Sequence, residues 1–136
     1  MSNKRHILYV EDDPGSRKVM QFLMTRVEHK PELTIFEDSL NFNIRLEQLS
    51  SPPLLFLIDI HVRPLNGFEM LRILRDHPYF HNHMVVALTA SVMNGEISQL
   101  KAAGFDSVLA KPLSFTTFPQ TMSRLLGGER ICTVYR

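Results

Sequence analysis

Leu54-Leu55-Phe56-Leu57-Ile58-Asp59 decides the fold: five apolar residues in a row, with no alternation, closed by an acid. Ser50-Ser51-Pro52-Pro53 punctuates the chain before it, and a loop carrying Pro64, Asn66 and Gly67 follows. A short run apolar at every position fits a strand covered on both faces, and such strands lie at the centre of parallel sheets. The flanking sequence should therefore supply further strands joined by helical crossovers.

It does. Ile7-Leu8-Tyr9-Val10 reads as a first buried strand, stopped by Glu11, Asp12 and Asp13. Pro14 and Gly15 open a helix whose apolar positions Val19, Met20, Leu23, Met24 and Val27 share a face, with Pro31 as its stop. Leu33 to Phe36 is a second strand, and Ser39 to Leu49 a weaker helix carrying Leu40, Ile44 and Leu46, with poor helix formers at Asn41 and Asn43. Beyond Asp59, Phe68, Leu71 and Leu74 space a helix that ends before Pro78. Met84 to Leu88 is a fourth strand, and residues 94–103 a helix closed by Gly104. Ser107 to Ala110 is a fifth strand; Phe118, Met122, Leu125 and Leu126 mark a last helix, broken by Gly127-Gly128. Five strand–helix repeats predict an α/β domain, a doubly wound five-stranded parallel sheet with five helices on its two faces. The expected division is one domain over residues 1–126 and a short tail over 127–136.

Composition bounds the function. With 44% hydrophobic and 21% charged residues, the chain can build a core, which excludes disorder as its main state. Fifteen basic against fourteen acidic residues leave a net charge of +1, so bulk charge names no polyanionic partner. Arg124, Arg130 and Arg136 are too scattered for a nucleic-acid patch, and no DNA binding is expected. The single cysteine, Cys132, cannot form an internal disulfide and fits a reducing compartment. No apolar run approaches the ~18 residues of a membrane span, nor the ~7–15 of a secretory signal, so the expectation is a soluble, cytoplasmic protein.

The polar residues that close the strands carry the chemistry. The first strand ends in Glu11, Asp12 and Asp13, the third in Asp59, the fourth in Thr89 and the fifth in Lys111. In open α/β sheets ligands bind outside the carboxyl ends of the strands, so these residues should converge. Clustered carboxylates repel unless a cation holds them, and hard oxygen ligands suit Mg²⁺, which favours a partner phosphate. A lysine can hold a phosphate oxygen, a threonine hydroxyl can donate to it, and a carboxylate can serve as covalent acceptor. Asp13 reads as an exposed acid or helix cap. His77, His81 and His83 read as a polar loop, since no cysteine or acid beside them completes a metal set. Met84, Met93 and Met122 read as core filler.

Four pieces together resemble the receiver domain of response regulators, the phosphoacceptor half of two-component signalling. They are Ile7-Leu8-Tyr9-Val10-Glu11-Asp12-Asp13; Leu57-Ile58-Asp59-Ile60 with Asn66-Gly67 beyond; Ala87-Leu88-Thr89-Ala90; and Lys111-Pro112. The resemblance spans residues 4–126 and suggests a stand-alone receiver. It implies a flavodoxin-like (βα)5 fold with strand order 2-1-3-4-5. It implies that Asp59 takes a phosphoryl group from a sensor histidine kinase or histidine phosphotransfer protein, with Thr89 and Lys111 binding the phosphoryl oxygens. Asp12 and Asp59 would bind Mg²⁺ directly, Glu11 through water, and His61 through its backbone carbonyl. The Lys111–Pro112 peptide would be cis. Phosphorylation would switch affinity for a downstream protein effector; a homodimer stays open. Such a domain turns over only its own phosphoryl group and is not expected to be an enzyme in the ordinary sense.

Departures from the family pattern shape the alternatives. The residue three before the lysine, an aromatic switch in the family, is Val108, with Phe105 or Phe115 as candidate substitutes. Val62 and Arg63 stand where Met-Pro is usual, with Pro64 one later. Pro119 interrupts the last helix unless Thr116 or Thr117, rather than Ser114, caps it. His61 and Ser91 fill the two places at which the family tunes phosphoryl lifetime. Val108 favours an alternative, a phosphorylation-independent binding module. A flavin protein would need a phosphate loop where the acids stand, and a haloacid-dehalogenase-type phosphatase would need Asp-x-Asp where Asp59-Ile60-His61 stands.

Overall fold

The structure is a computed structural model, and it describes residues 5–132. Five strands alternate with five helices: β1 (His6–Val10), α1 (Pro14–Met24), β2 (Glu32–Phe36), α2 (Phe42–Glu47), β3 (Leu55–Asp59), α3 (Gly67–Asp76), β4 (Met84–Thr89), α4 (Asn94–Ala103), β5 (Ser107–Ala110) and α5 (Phe118–Leu126). The strands form one parallel sheet in the order β2-β1-β3-β4-β5, as expected, with β3 at its centre and buried throughout.

The sheet is covered on both sides because its strands are apolar on both faces. Leu8, Val10, Phe56, Ile58, Val85 and Ala87 face a core closed by Phe42 and Leu46 of α2, Met70, Leu71 and Leu74 of α3, and Leu100 of α4. Ile7, Tyr9, Leu55, Leu57, Val86 and Leu88 face the opposite core, closed by Met20, Leu23 and Met24 of α1 and by Phe118, Met122 and Leu125 of α5. At about 1.5–3 kcal/mol for each large apolar side chain buried, these two layers are the main stabilising term.

Local chemistry sets the helix ends. Asp13 is the N-cap of α1, its carboxylate accepting the Ser16 N–H at 2.7 Å, and Pro14 stands in the first turn. The first helix ends at Met24, earlier than its apolar spacing suggests. The chain tightens through Arg26 N–H to Leu23 O and Val27 N–H to Met24 O, then turns through left-handed His29 and Lys30. Val27 is still buried, from the turn. The second helix is also shorter than expected, and it turns Phe42 and Leu46 inward while leaving Leu40 and Ile44 exposed. Its N-cap, Asn41, is left-handed and makes no side-chain cap bond, so six residues give only one buried stripe. Met93 is exposed, not core.

Thr117 stands at the N-cap of α5, which puts Pro119 in the first turn, where a missing N–H breaks no helical bond. Ser114 accepts the Thr117 N–H through its hydroxyl. Beyond α5 the chain returns to the free edge of the sheet. The Ile131 N–H donates to the Ser107 hydroxyl at 2.8 Å, Val108 N–H donates to Ile131 O at 2.9 Å, and Cys132 bridges Val108 in parallel.

Gly67, the first residue of α3, admits no side chain. A Cβ there would lie 2.8 Å from Ile60 Cδ1 and 2.9 Å from Ile60 Cα. Because the second of these is backbone, Gly67→Ala should force the β3–α3 loop outward and cost about 1–3 kcal/mol, read as a lowered urea midpoint; an unchanged midpoint would show that helix and loop can part freely.

Candidate functional site

The parallel register brings the polar strand ends together. Val10 pairs with Ile58, which sets Glu11 level with Asp59; Asp59 pairs with Leu88, Leu88 with Leu109 and Thr89 with Ala110. Lys111 follows β5 directly, its N–H donating to Thr89 O at 2.9 Å. Each side chain thus reaches the same rim because its strand ends there.

The centre of the site is one ammonium between two carboxylates. Lys111 Nζ donates to Asp59 Oδ2 at 2.6 Å and to Glu11 Oε1 at 3.0 Å. Both acids are buried, Asp59 at 6% and Glu11 at 1% exposure, so neither has water enough to stand unpaired. The other Asp59 oxygen, Oδ1, accepts the His61 N–H at 2.8 Å. Glu11 is wrapped more completely. Its Oε1 also accepts the Tyr9 hydroxyl at 2.9 Å and its Oε2 the Asp13 N–H at 3.2 Å, while Arg17 donates to its backbone carbonyl at 3.1 Å.

These contacts set the charges. Burial and the neighbouring Asp59 charge push the Glu11 carboxyl above its ordinary range, against the hydrogen bonds from Lys111, Tyr9 and the Asp13 N–H. Burial alone would lower the pKa of Lys111, but its hydrogen bonds to Asp59 and Glu11 and their charges prevail and raise it. Glu11 and Asp59 are therefore held side by side against their mutual repulsion, with Lys111 as the counter-charge.

Among the other expected site residues, Asp12 is exposed at the rim. Thr89 is buried, and its hydroxyl is engaged with its own loop, accepting the Ser91 N–H at 3.0 Å and lying 3.3 Å from Ser91 O. Ser91 in turn donates to Glu96. His61 reaches Asp59 through its N–H. The carboxylates, all hard oxygen donors at neighbouring strand ends, have the chemistry a divalent cation with retained waters requires. They are not drawn into a cage of three acidic ligands among the described residues; Lys111 stands between two of them.

Two contributors escape a motif reading. Tyr9 belongs to the core by composition, yet strand alternation puts it on the same face as Glu11, two residues on. Ser39 is fully buried between β2 and α2; its hydroxyl donates to Leu65 O at 2.6 Å and accepts the Leu65 N–H at 2.7 Å, and its N–H donates to Arg63 O at 3.1 Å. It pins the loop that follows Asp59, and no sequence signal marks it. In that loop the Arg63–Pro64 peptide is cis, as is Lys111–Pro112, of which only the second was expected. No acid partner for the histidine loop is expected from the sequence, but the fold brings one there: His77 pairs with Glu47 of α2 at 2.6 Å, and the His77 and His83 rings pack against Phe80.

With this geometry, comparison with known proteins is decisive for the family. A sequence model of the response regulator receiver domain matches residues 7–123, and the chain belongs to that family. It is 31% identical over 75 residues to the polar-differentiation response regulator DivK of Brucella ovis, an alignment covering 55% of this chain and 61% of that protein. The chain thus matches less than two thirds of that relative's length. The fold superposes on the chemotaxis response regulator CheY4 of Vibrio cholerae with a TM-score of 0.78 at 18% identity, covering 90% of this chain and 99% of the other. It also matches the signal receiver domain of a DNA-binding response regulator from Colwellia psychrerythraea 34H, with a TM-score of 0.76 at 23% identity over 91% and 99% of the two chains.

Since the folded site disfavours the Glu11 charge, the metal-free protein should lose stability as pH rises through the raised Glu11 pKa. Replacing that charge with a neutral isostere should remove the penalty. Glu11→Gln is expected to raise the melting temperature at neutral pH by about 3–5 °C, on the order of 1 kcal/mol. A lower melting temperature in chelator would contradict this reading of the site.

Proposed function

We propose that the chain is a phosphorylation-dependent signalling protein whose Asp59 accepts a phosphoryl group from a phosphohistidine on a sensor histidine kinase or histidine phosphotransfer protein. The observation that carries this is the Lys111 bridge between buried Asp59 and Glu11. In the transfer, an Asp59 carboxylate oxygen attacks phosphorus and the phosphorus–nitrogen bond breaks. The imidazole leaves with the electron pair, and an acyl phosphate forms on Asp59.

The residues divide the work. Lys111 leaves the Asp59 and Glu11 carboxylates for a phosphoryl oxygen, whose group carries more negative charge than either. Thr89 turns its hydroxyl from the Ser91 loop toward the acyl phosphate, and that change of bonding moves the β4–α4 loop. Asp12, Asp59 and the His61 carbonyl would hold Mg²⁺, with Glu11 acting through water. When bound, Mg²⁺ neutralises charge that builds on the phosphoryl oxygens. His61 and Ser91 flank the acceptor and govern access of water to it.

The output is a change of affinity for a downstream protein effector, by a shift between two surface states. The chain acts on no substrate other than its own phosphoryl group, binds no DNA itself, and works in the cytoplasm beside its kinase; a homodimer is compatible with this reading. In support, no helix among the described residues is long and apolar enough to cross a membrane. Val108 favours the alternative, a phosphorylation-independent binding module: it is fully buried and bridged by Cys132, while Phe105 is buried and Phe115 exposed.

Incubation with Mg²⁺ and acetyl phosphate, followed by intact mass measurement, separates the two. The proposal expects one added phosphoryl group, absent from Asp59→Asn and from samples with chelator. Lys111→Ala should slow the gain by about tenfold or more, the loss of one charge-assisted bond to the transferring group. A wild-type chain that gains nothing would leave the binding module as the function.

A further inference from the structure

Tyr9 has its ring in one environment and its hydroxyl in another. The ring lies in the core between the sheet and helices α1 and α5, with Tyr9 only 1% exposed. The hydroxyl reaches the acidic rim and donates to Glu11 Oε1 at 2.9 Å. A phenylalanine would fill the same core space, and a buried hydroxyl is costly unless bonded. Burial and the Glu11 charge also push the Tyr9 hydroxyl pKa upward, so it remains a donor.

We propose that Tyr9 is a positioning residue that holds the Glu11 carboxylate in place for the cation while Lys111 moves to the phosphoryl group. Glutamate carries one more side-chain torsion than aspartate and needs a fixed partner to present its oxygens reproducibly. Three groups donate to it here: Lys111, Tyr9 and the Asp13 N–H. Lys111 is shared with Asp59 and is drawn away on phosphorylation. The Asp13 N–H is the longest of the three, at 3.2 Å, and belongs to an exposed residue between β1 and α1. Tyr9 alone of the three is anchored in a strand and a packed core, so its bond persists in both states. Oε1 takes both the Tyr9 and the Lys111 bonds, and Oε2 takes the Asp13 N–H. This rests on the reading that Glu11 serves Mg²⁺.

The test compares Tyr9→Phe with wild type in the full chain, with Mg²⁺ alone as probe. Loss of one hydrogen bond to a buried charge should weaken Mg²⁺ binding about 3- to 10-fold by calorimetry or amide shifts. The acetyl phosphate rate at saturating Mg²⁺ should stay within about twofold, because the acceptor and Lys111 are untouched. Tyrosine absorption gives a second readout, since the chain has no tryptophan to mask it. Mg²⁺ should perturb it in wild type, and Tyr9→Phe should abolish the change. In a Glu11→Ala background the Tyr9→Phe effect on Mg²⁺ affinity should vanish, because the group it acts on is gone. Unchanged Mg²⁺ affinity in Tyr9→Phe, or an equal fall in the Glu11→Ala background, would overturn the proposal while leaving the phosphoacceptor reading intact. A wild type that binds no Mg²⁺ would instead overturn that reading, and the role of Tyr9 with it.

Discussion

One ammonium balances two buried carboxylates. Lys111 spans Asp59 and Glu11, and without it the rim of the sheet would hold two acids with little water between them. Removing the lysine would leave two buried carboxylates uncompensated, whereas removing the Glu11 charge still leaves Lys111 paired with Asp59. The remaining polar contacts are secondary to this one: the His61 N–H on Asp59, and Tyr9 and the Asp13 N–H on Glu11. The site is a charge problem that the structure solves with one lysine.

The fold places that problem where it can be used. In a parallel sheet with β1 and β3 adjacent, the acids of two strands must emerge side by side, and the lysine after β5 has to reach across β4. Two apolar layers hold the strands rigidly below the rim, while the groups that would change partners sit in loops above it. Tyr9 and Ser39 connect the two regimes. One extends from the core into the site, and the other ties the loop after Asp59 to the loop before α2.

Much of this was legible in the sequence, for physical reasons. The unbroken apolar run before Asp59 fits a strand covered on both faces, and strand–helix alternation then points to a parallel sheet with its polar ends together. Residues 94–103 and 107–110 were bounded by strong signals, a left-handed Gly104 and the lysine. The first two helices were less legible. In α1, turn geometry ended the helix while the apolar spacing ran on. Of the apolar residues read as the second helix's face, Leu46 is buried, but Ile44 is exposed and Leu40 precedes the helix, because the burial of Phe42 decides its orientation. The Tyr9 bond needed the strand alternation to be read as chemistry as well as packing. Ser39 could not have been found, since its hydroxyl's partner, Leu65, lies 26 residues away, a separation that no local pattern encodes. The pairing of the tail with the β5 edge at Val108 also joins residues far apart in sequence, and no local pattern encodes it.

The central claim is that the Lys111 bridge is the resting state of a phosphoacceptor site. A crystal structure of the chain with Mg²⁺ and beryllofluoride tests it most directly. The account predicts the fluoride on Asp59, Lys111 Nζ moved off Glu11 onto a fluorine, Thr89 turned from the Ser91 loop toward it, and the Tyr9–Glu11 bond kept. A structure with Asp59 bare and Lys111 still bridging both carboxylates would contradict it.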